Sequence, residues 1–467
     1  MTSILRRQLP LFLILCGGLS LFAQTNSAKP DLTVPPAAQL KTQIAQTIGS
    51  TKPDYVVFVP EITDTEASDT GNEHFLVFDG PDGSLMAVWT QSTREGEPDQ
   101  HIVFSRSTSK GKKWSKPQLI AGPAKAGDGF MASWAFPLVS KKGRIYVLYF
   151  QGVGKFDTFP HHTALLHGIY SDDLGRTWSK AENIPVPRTS RDNPDESFPP
   201  NCIVWQKPIR LTSDGRYIAG MSRWTSKAVK KNPTRSWVTH DSVVEFMRFG
   251  KLDENPAVGE LKISWLAWDQ DAITVPLADH PQTSVCQEPS IVKLPDGRLF
   301  CVMRTMAGSP YWTMSSDEGN TWTTAKPLLR KDGGAPLAQP LSPCPIYDLG
   351  GDGAGSGRYV LFIHNHDGNV NGFNKTETIY HRRPIHAVFG RFEPQGEQPI
   401  WFEEPRFFMD HDGTVLGAPG HRGRLDLAMY SSMTLVNRQP VLWYPDRKFF
   451  LFGKKVMVPQ AKTGTRR

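Results

Sequence analysis

The feature that most constrains this chain is a turn followed by a strand-like apolar run, repeated six times. The copies are Asp82-Gly83 before SLMAVW, Lys142-Gly143 before RIYVLYF, Asp214-Gly215 before RYIAGM, Asp296-Gly297 before RLFCVM, Ser356-Gly357 before RYVLFI and Asp446-Arg447 before KFFLF. Their spacing of 60 to 90 residues is too uneven for a solenoid but suits four-stranded blades joined by loops of variable length. Six copies therefore predict an all-β chain folded as a six-bladed β-propeller of four-stranded antiparallel blades. Two unrelated β-sandwiches would not call for repeated units. The 40 Gly and 38 Pro against 21% charged residues supply the turns and exclude a disordered chain or a long coiled coil.

The flanks read differently. Residues 1–23 carry Arg6 and Arg7, then an apolar stretch from Leu9 to Phe22 broken by Pro10 and Gly17-Gly18. That is the pattern of a secretory signal peptide rather than a membrane span, so the expected location is secreted or periplasmic. Residues 24–71 read as a polar leader with a short helix from Ala37 to Ile48, residues 72–458 as the propeller, and residues 459–467 as a frayed tail. The formal net charge of +7 is scattered, without the basic stripe of a nucleic-acid binder. Cys202, Cys286, Cys301 and Cys344 permit two disulfides without selecting a pairing. The histidine clusters His161-His162 with His167, and His364-Asn365-His366-Asp367, lack helical H-x-x-x-H spacing, so neither a metal nor a cofactor is expected.

A second repeat supports the first. Ser171-Asp172-Asp173-Leu174-Gly175-Arg176-Thr177-Trp178 recurs as Ser315-Ser316-Asp317-Glu318-Gly319-Asn320-Thr321-Trp322, with a worn copy from Ser107 to Trp114. Ser and Asp can satisfy turn amides, Gly permits positive φ, and Trp can lid the hairpin, which makes these staples rather than chemical groups. This S-x-D-x-G-x-T-W motif is the Asp box, and with it the chain resembles the sialidase (neuraminidase) superfamily over residues 72 to 452.

One hairpin carries candidate chemistry. Glu288 lies eight residues before Asp296 and Arg304 eight after it, so folding at the Pro295-Asp296-Gly297 turn brings a carboxylate and a guanidinium to adjacent strand ends. An ordinary ion pair would look the same. The resemblance implies more: Glu288 as the base for a tyrosine nucleophile, Arg304 as one arm of an arginine clamp on a sugar carboxylate, Tyr430 in LAMYSSMT as the nucleophile, and Arg383, in preference to Arg382, as a second clamp arginine. It also implies a proton donor on the loop from Thr90 to His101, with Asp99 first and Glu97 and Glu95 as rivals. A neutral phenol suits a sugar whose anomeric carbon bears a carboxylate, because an anionic nucleophile would be repelled there. Arginine suits the carboxylate because its planar fork donates two parallel hydrogen bonds.

The chain departs from the family at the start of blade one. Where sialidases place an R-I-P triplet that supplies the first clamp arginine, it reads Asn72-Glu73-His74. Either another cation, Arg94 or His74, takes that place, or the substrate is not a sialoside. The expected function is an exported, exo-acting glycoside hydrolase that removes a terminal acidic sugar from a glycan. The alternatives are a uronate-directed lyase or related glycosidase, with His and Tyr as acid and base, and a silent sugar-binding propeller.

Overall fold

The computed structural model describes residues 31–62, 69–159, 161–211, 215–364, 382–428 and 430–459. The signal-peptide reading of 1–23 and residues 460–467 of the tail fall outside them. Short apolar runs between tight turns build six antiparallel sheets, the blades of a propeller. Blade 1 comprises Gly71–Asp79, Leu85–Ser92, His101–Ser107 and Gln118–Ala121. Blade 2 comprises Ala132–Val139, Ile145–Gly152, Ala164–Ser171 and Glu182–Ile184. Asn201–Ile203, Tyr217–Trp224, Ser242–Gly250 and Lys262–Leu266 form blade 3, with Ile209–Arg210 added to its second strand. Blade 4 runs through Cys286–Lys293, Leu299–Thr305, Tyr311–Ser315 and Lys326–Pro327. Blade 5 runs through Ile346–Asp348, Arg358–His364, Ile385–Phe392 and Ile400–Phe402, with Arg406–Met409 also paired to its third strand.

Blade 6 takes only three strands from the C-terminal region, Ser432–Val436, Gln439–Asp446 and Phe450–Lys455. Its fourth, Tyr55–Phe58, comes from the segment read as a leader and pairs antiparallel with Phe450–Lys455. The propeller thus begins well before residue 72. Without YVVF the blade would present a bare edge of unpaired N–H and C=O groups, and an apolar β-branched run covers it. Helix Ala37–Thr51 precedes this strand, and Thr51 Oγ1 donates to Asp446 Oδ2 at 3.2 Å.

Five of the six sequence turns precede the second strand of a blade. The sixth, Asp446-Arg447, precedes the third strand of blade 6 instead. The turn that corresponds to the others is Asn437-Arg438, where both residues have positive φ, 52° and 66°. A two-residue hairpin of this kind accepts Asn without requiring Gly, so the glycine signal was missing there.

In the Asp boxes, Asp173 accepts from Thr177 N at 2.9 Å and Thr177 Oγ1 at 2.6 Å, and Ser171 Oγ accepts from Gly175 N at 2.9 Å. Asp317, Thr321, Ser315 and Gly319 repeat the pattern. In the worn copy Ser109 stands in for Asp, accepting from Lys113 N at 2.8 Å. Each Trp staples its blade to the preceding one: Trp178 against Phe104, Trp322 stacked on Phe246 at 4.0 Å, and Trp114 against Trp443. The four cysteines are buried and free. Two disulfides do not form: Cys286 Sγ instead meets Met303 Sδ at 3.4 Å.

Candidate active site

The inner strands of blades 1, 2 and 4 share one irregularity. In each, an extra residue enters: Glu73 to Leu76 faces Thr90 to Val88, Ser133 to Phe136 faces Phe150 to Leu148, and Gln287 to Ser290 faces Arg304 to Val302. Such a bulge re-aims a side chain. The first bulged residue takes a left-handed φ in every case, 54° at His74, 58° at Trp134 and 52° at Glu288, and Tyr430 before the inner strand of blade 6 has 59°. This conformation costs a non-glycine residue about 1–3 kcal/mol, a cost typical of functional sites. Here it turns Trp134, Glu288 and Tyr430 into one cavity, with the His74 ring 5.1 Å from Trp134 and 6.4 Å from Tyr430.

The cavity holds about 240 Å³, just below the usual range of ligand pockets. Part of its wall is aromatic, built by Trp134, Phe159, Trp224 and Trp237, with His162 stacked on Trp224 at 4.3 Å. The polar part of the wall sets four cations, Arg304, Arg382, Arg424 and Lys448, beside the carboxylates Glu95 and Glu288. Arg304 Nη1 donates to Glu288 Oε1 at 2.6 Å. Arg304 Nε and Nη2, Arg382 Nε and Glu288 Oε2 are buried and have no hydrogen-bond partner among the described residues. Arg382 reaches Asp426 at 3.4 Å, and Arg424 pairs with Glu95. Lys448 Nζ bridges two carboxylates, 2.8 Å from Glu73 Oε2 and 2.7 Å from Glu95 Oε2, and lies 5.0 Å from the Tyr430 ring centre.

Burial, and then the charge of Glu288, push the Tyr430 phenol well above its ordinary pKa, so it is neutral at pH 7. Burial would also raise Glu95, but Lys448 and Arg424 outweigh it and hold that carboxyl well below the usual range. Glu73 goes the other way: burial and the neighbouring Glu95 lift it to about 7 against the pull of Lys448. Burial lowers His161 to about 4 and His162 well below its ordinary value, leaving both rings neutral at pH 7.

Glu288, Arg304 and Tyr430 therefore share one cavity. The expected Glu288–Tyr430 hydrogen bond is not made, since Glu288 Oε1 is taken by Arg304 and Oε2 has no partner. Arg383 does not reach the cavity: its Nε donates to Asp410 Oδ1 at 2.7 Å and its Nη2 to His411 O at 2.6 Å. Its neighbour Arg382 lines the wall instead. Adjacent residues leading into an extended strand point to opposite sides, so Arg382 faces the cavity while Arg383 faces Asp410 and His411. Asp99 is likewise displaced, its Oδ2 accepting from Thr93 N at 2.8 Å and Thr93 Oγ1 at 2.6 Å, which pins the loop. Glu97 pairs with Arg94, and Glu95 is the carboxylate of that loop that faces the cavity. Neither Arg94 nor His74 adds a cation to the cavity: Arg94 is not part of its lining and pairs with Glu97, and burial holds His74 at about 3, uncharged at neutral pH. Arg424 and Lys448 were not singled out from sequence. Arg424 lies in a loop without a motif, and Lys448 sits directly after the sixth turn, where only the strand was read.

His364 is buried between Ser342 Oγ at 2.7 Å and Leu427 O at 2.6 Å, while Asn365, His366 and Asp367 lie outside the described residues. No group of three or more His, Cys, Asp or Glu poised to hold a metal occurs among the described residues.

Residues 83–367 match the family model described as a BNR repeat-like domain. Among solved structures, the chain is similar to a protein of unknown function from Dyadobacter fermentans, with 13% identity over 86% of this chain and 96% of that one and a TM-score of 0.55. It is also similar to the Hadza microbial sialidase Hz136, with 16% identity over 85% and 68% and a TM-score of 0.55. A third is the intramolecular trans-sialidase of Ruminococcus gnavus in complex with oseltamivir carboxylate, with 15% identity over 84% and 96% and a TM-score of 0.52. No curated protein sequence matches the chain.

Proposed function

Because the chain belongs to the BNR repeat-like domain family and has the sialidase-type propeller, we propose that it is an exo-acting glycoside hydrolase that releases a single terminal sugar acid from a glycan. The observation that carries this reading is the convergence of three arginines and a lysine on a small cavity beside Tyr430 and Glu288. Buried guanidinium N–H groups without partners are costly, and the free donors of Arg304 and Arg382 match a planar carboxylate that accepts in pairs. A cavity of this volume takes one sugar residue, which is why the action is exo.

The chemistry follows from the charges. A carboxylate on the sugar would repel an anionic nucleophile but not the neutral Tyr430 phenol. Glu288 Oε2, buried without a partner, is the acceptor for the phenol proton as the oxygen attacks the anomeric carbon. Glu95 is the donor to the departing glycosidic oxygen. It is anionic in the free site, but a bound sugar acid draws Arg424 and Lys448 to itself, and with that support shared the Glu95 carboxyl shifts upward. Water, deprotonated by Glu95, then attacks the anomeric carbon and breaks its bond to the Tyr430 oxygen, which takes back its proton from Glu288 as the free sugar acid leaves. We also place the protein outside the cytoplasm, on the pattern of residues 1–23.

The test is turnover of the mature protein on a fluorogenic sialoside and on a panel of terminal uronosides and uronic-acid polysaccharides. Release of a free sugar acid from one of them supports the reading. An ultraviolet-absorbing unsaturated product would replace it with β-elimination, and binding without turnover would reduce it to a lectin-like role.

A further inference from the structure

The cation expected on the first strand of blade 1 is absent, and the structure puts a carboxylate, Glu73, in its place. Opposite Glu73 stands Lys448 from blade 6, 4% exposed. The arrangement is built rather than incidental. Lys448 O accepts from Asn72 N at 2.6 Å, and Asn72 Nδ2 donates to Phe449 O at 2.9 Å, which joins the turn to blade 1. Arg447 and Lys448 both hold left-handed φ, 58° and 50°. The fully buried Arg447 anchors that turn to Asp446 at 2.6 Å and Asp412 at 2.7 Å. Gln100 Nε2 donates to the other oxygen of Glu73 at 3.0 Å, and Gln100 Oε1 accepts from Gly96 N, next to Glu95.

Resting on the reading above, we infer that Lys448 is the ligand-contacting cation that stands in for the missing arginine, and that Glu73, which positions it, takes up a proton when a sugar acid binds. The charges at the site require such a proton. Four cations, Arg304, Arg382, Arg424 and Lys448, face four carboxylates, Glu288, Glu73, Glu95 and Asp426. A ligand carboxylate adds a fifth negative charge to a buried cluster. His161, His162 and Tyr430, which also line the cavity, are neutral in the free site and add no positive charge there. Two carboxylates bridged by one ammonium lose support when the ammonium turns to the ligand, and Glu73 is the member already lifted to about 7. The added proton restores neutrality, and it stays on Glu73 because Glu95 is held well below the usual carboxyl range.

The experiment is calorimetric titration of wild type, Lys448→Met, Lys448→Arg, Glu73→Gln and Arg304→Met. The probes are N-acetylneuraminic acid, its 2,3-didehydro form and glucuronic acid, and the methyl ester of whichever binds tightest. Wild type should take up about one proton per acid bound at pH 8, measured from buffers of different ionisation enthalpy, and its affinity should fall by up to about tenfold per unit between pH 7 and 9. Lys448→Met should weaken the acid by about tenfold or more while leaving the ester unchanged, and Lys448→Arg should restore it. Glu73→Gln should abolish the proton uptake. Loss of acid binding in Arg304→Met together with indifference to Lys448→Met, or undiminished proton uptake in Glu73→Gln, overturns this inference and leaves the hydrolase reading standing. If no acid binds wild type, or Arg304→Met binds it normally, both fall.

Discussion

Arg304→Met isolates the electrostatics on which the site depends. The Arg304 guanidinium is 3% exposed and Glu288 is 2% exposed, and they meet at 2.6 Å. Methionine fills much of the volume, so the main effect is a buried carboxylate without its cation, a loss of about 3–5 kcal/mol for pairs of this kind. For a chain of 467 residues, an unfolding entropy of about 2.1 cal/mol/K per residue converts that loss into a Tm lower by roughly 3–5 °C at pH 8. The sign with pH is definite. The penalty belongs to the ionised form of a buried carboxylate left without its cation, so it is greatest at high pH and is relieved as that form is lost on acidification. The variant should therefore approach wild type on acidification, and Arg304→Met with Glu288→Gln should recover most of the loss at pH 8. Differential scanning calorimetry of the three variants from pH 4.5 to 8 measures this. A deficit that does not vary with pH, or no recovery in the double variant, would refute the view that Arg304 and Glu288 act as one buried pair and would leave packing as the cause.

Tyr430→Phe should lower kcat by at least about a thousandfold while changing the Kd of a bound sugar acid by less than threefold, because only the attacking oxygen is lost. Steady-state rates beside calorimetric affinities decide it. Glu95→Gln should abolish turnover of substrates with poor leaving groups and spare activated aryl glycosides, whereas Asp99→Asn should lower stability by about 1 kcal/mol through the loop it pins to Thr93 and keep the leaving-group dependence of wild type. Asp317→Ala should cost about 1–3 kcal/mol in denaturant unfolding by stripping the box of its acceptor, with kcat/KM unchanged.

What was legible in the sequence tracks what local chemistry controls. Turns need Gly or Asp at fixed offsets, and strands need alternating or continuous apolar runs, so the blade count was visible in residues such as Gly83, Gly143 and Gly297. The Asp boxes were visible for the same reason, since all their hydrogen bonds close within eight residues. Glu288 and Arg304 were within reach because a single hairpin brings them together. The strand Tyr55–Phe58 was not, because its partner lies nearly 400 residues away and nothing within YVVF names that partner. The cationic wall failed to show for a related reason. Arg424 and Lys448 owe their positions to contacts with Glu95 and Glu73 across the blade 1–blade 6 seam, and a lone Lys after a turn looks like any solvated charge. The choice between Arg382 and Arg383 turned on the parity of one strand, which the bulged and irregular strands of this fold make unsafe to count. Bulges defeat alternation at the residues that matter: Trp134 and Glu288 leave the pleat and line the cavity, with His74 packed against Trp134, so the places where periodicity is lost mark the site. In a chain built on this plan, a break in strand period near the start of an inner strand is then a stronger pointer to the cavity than the identity of any single residue there.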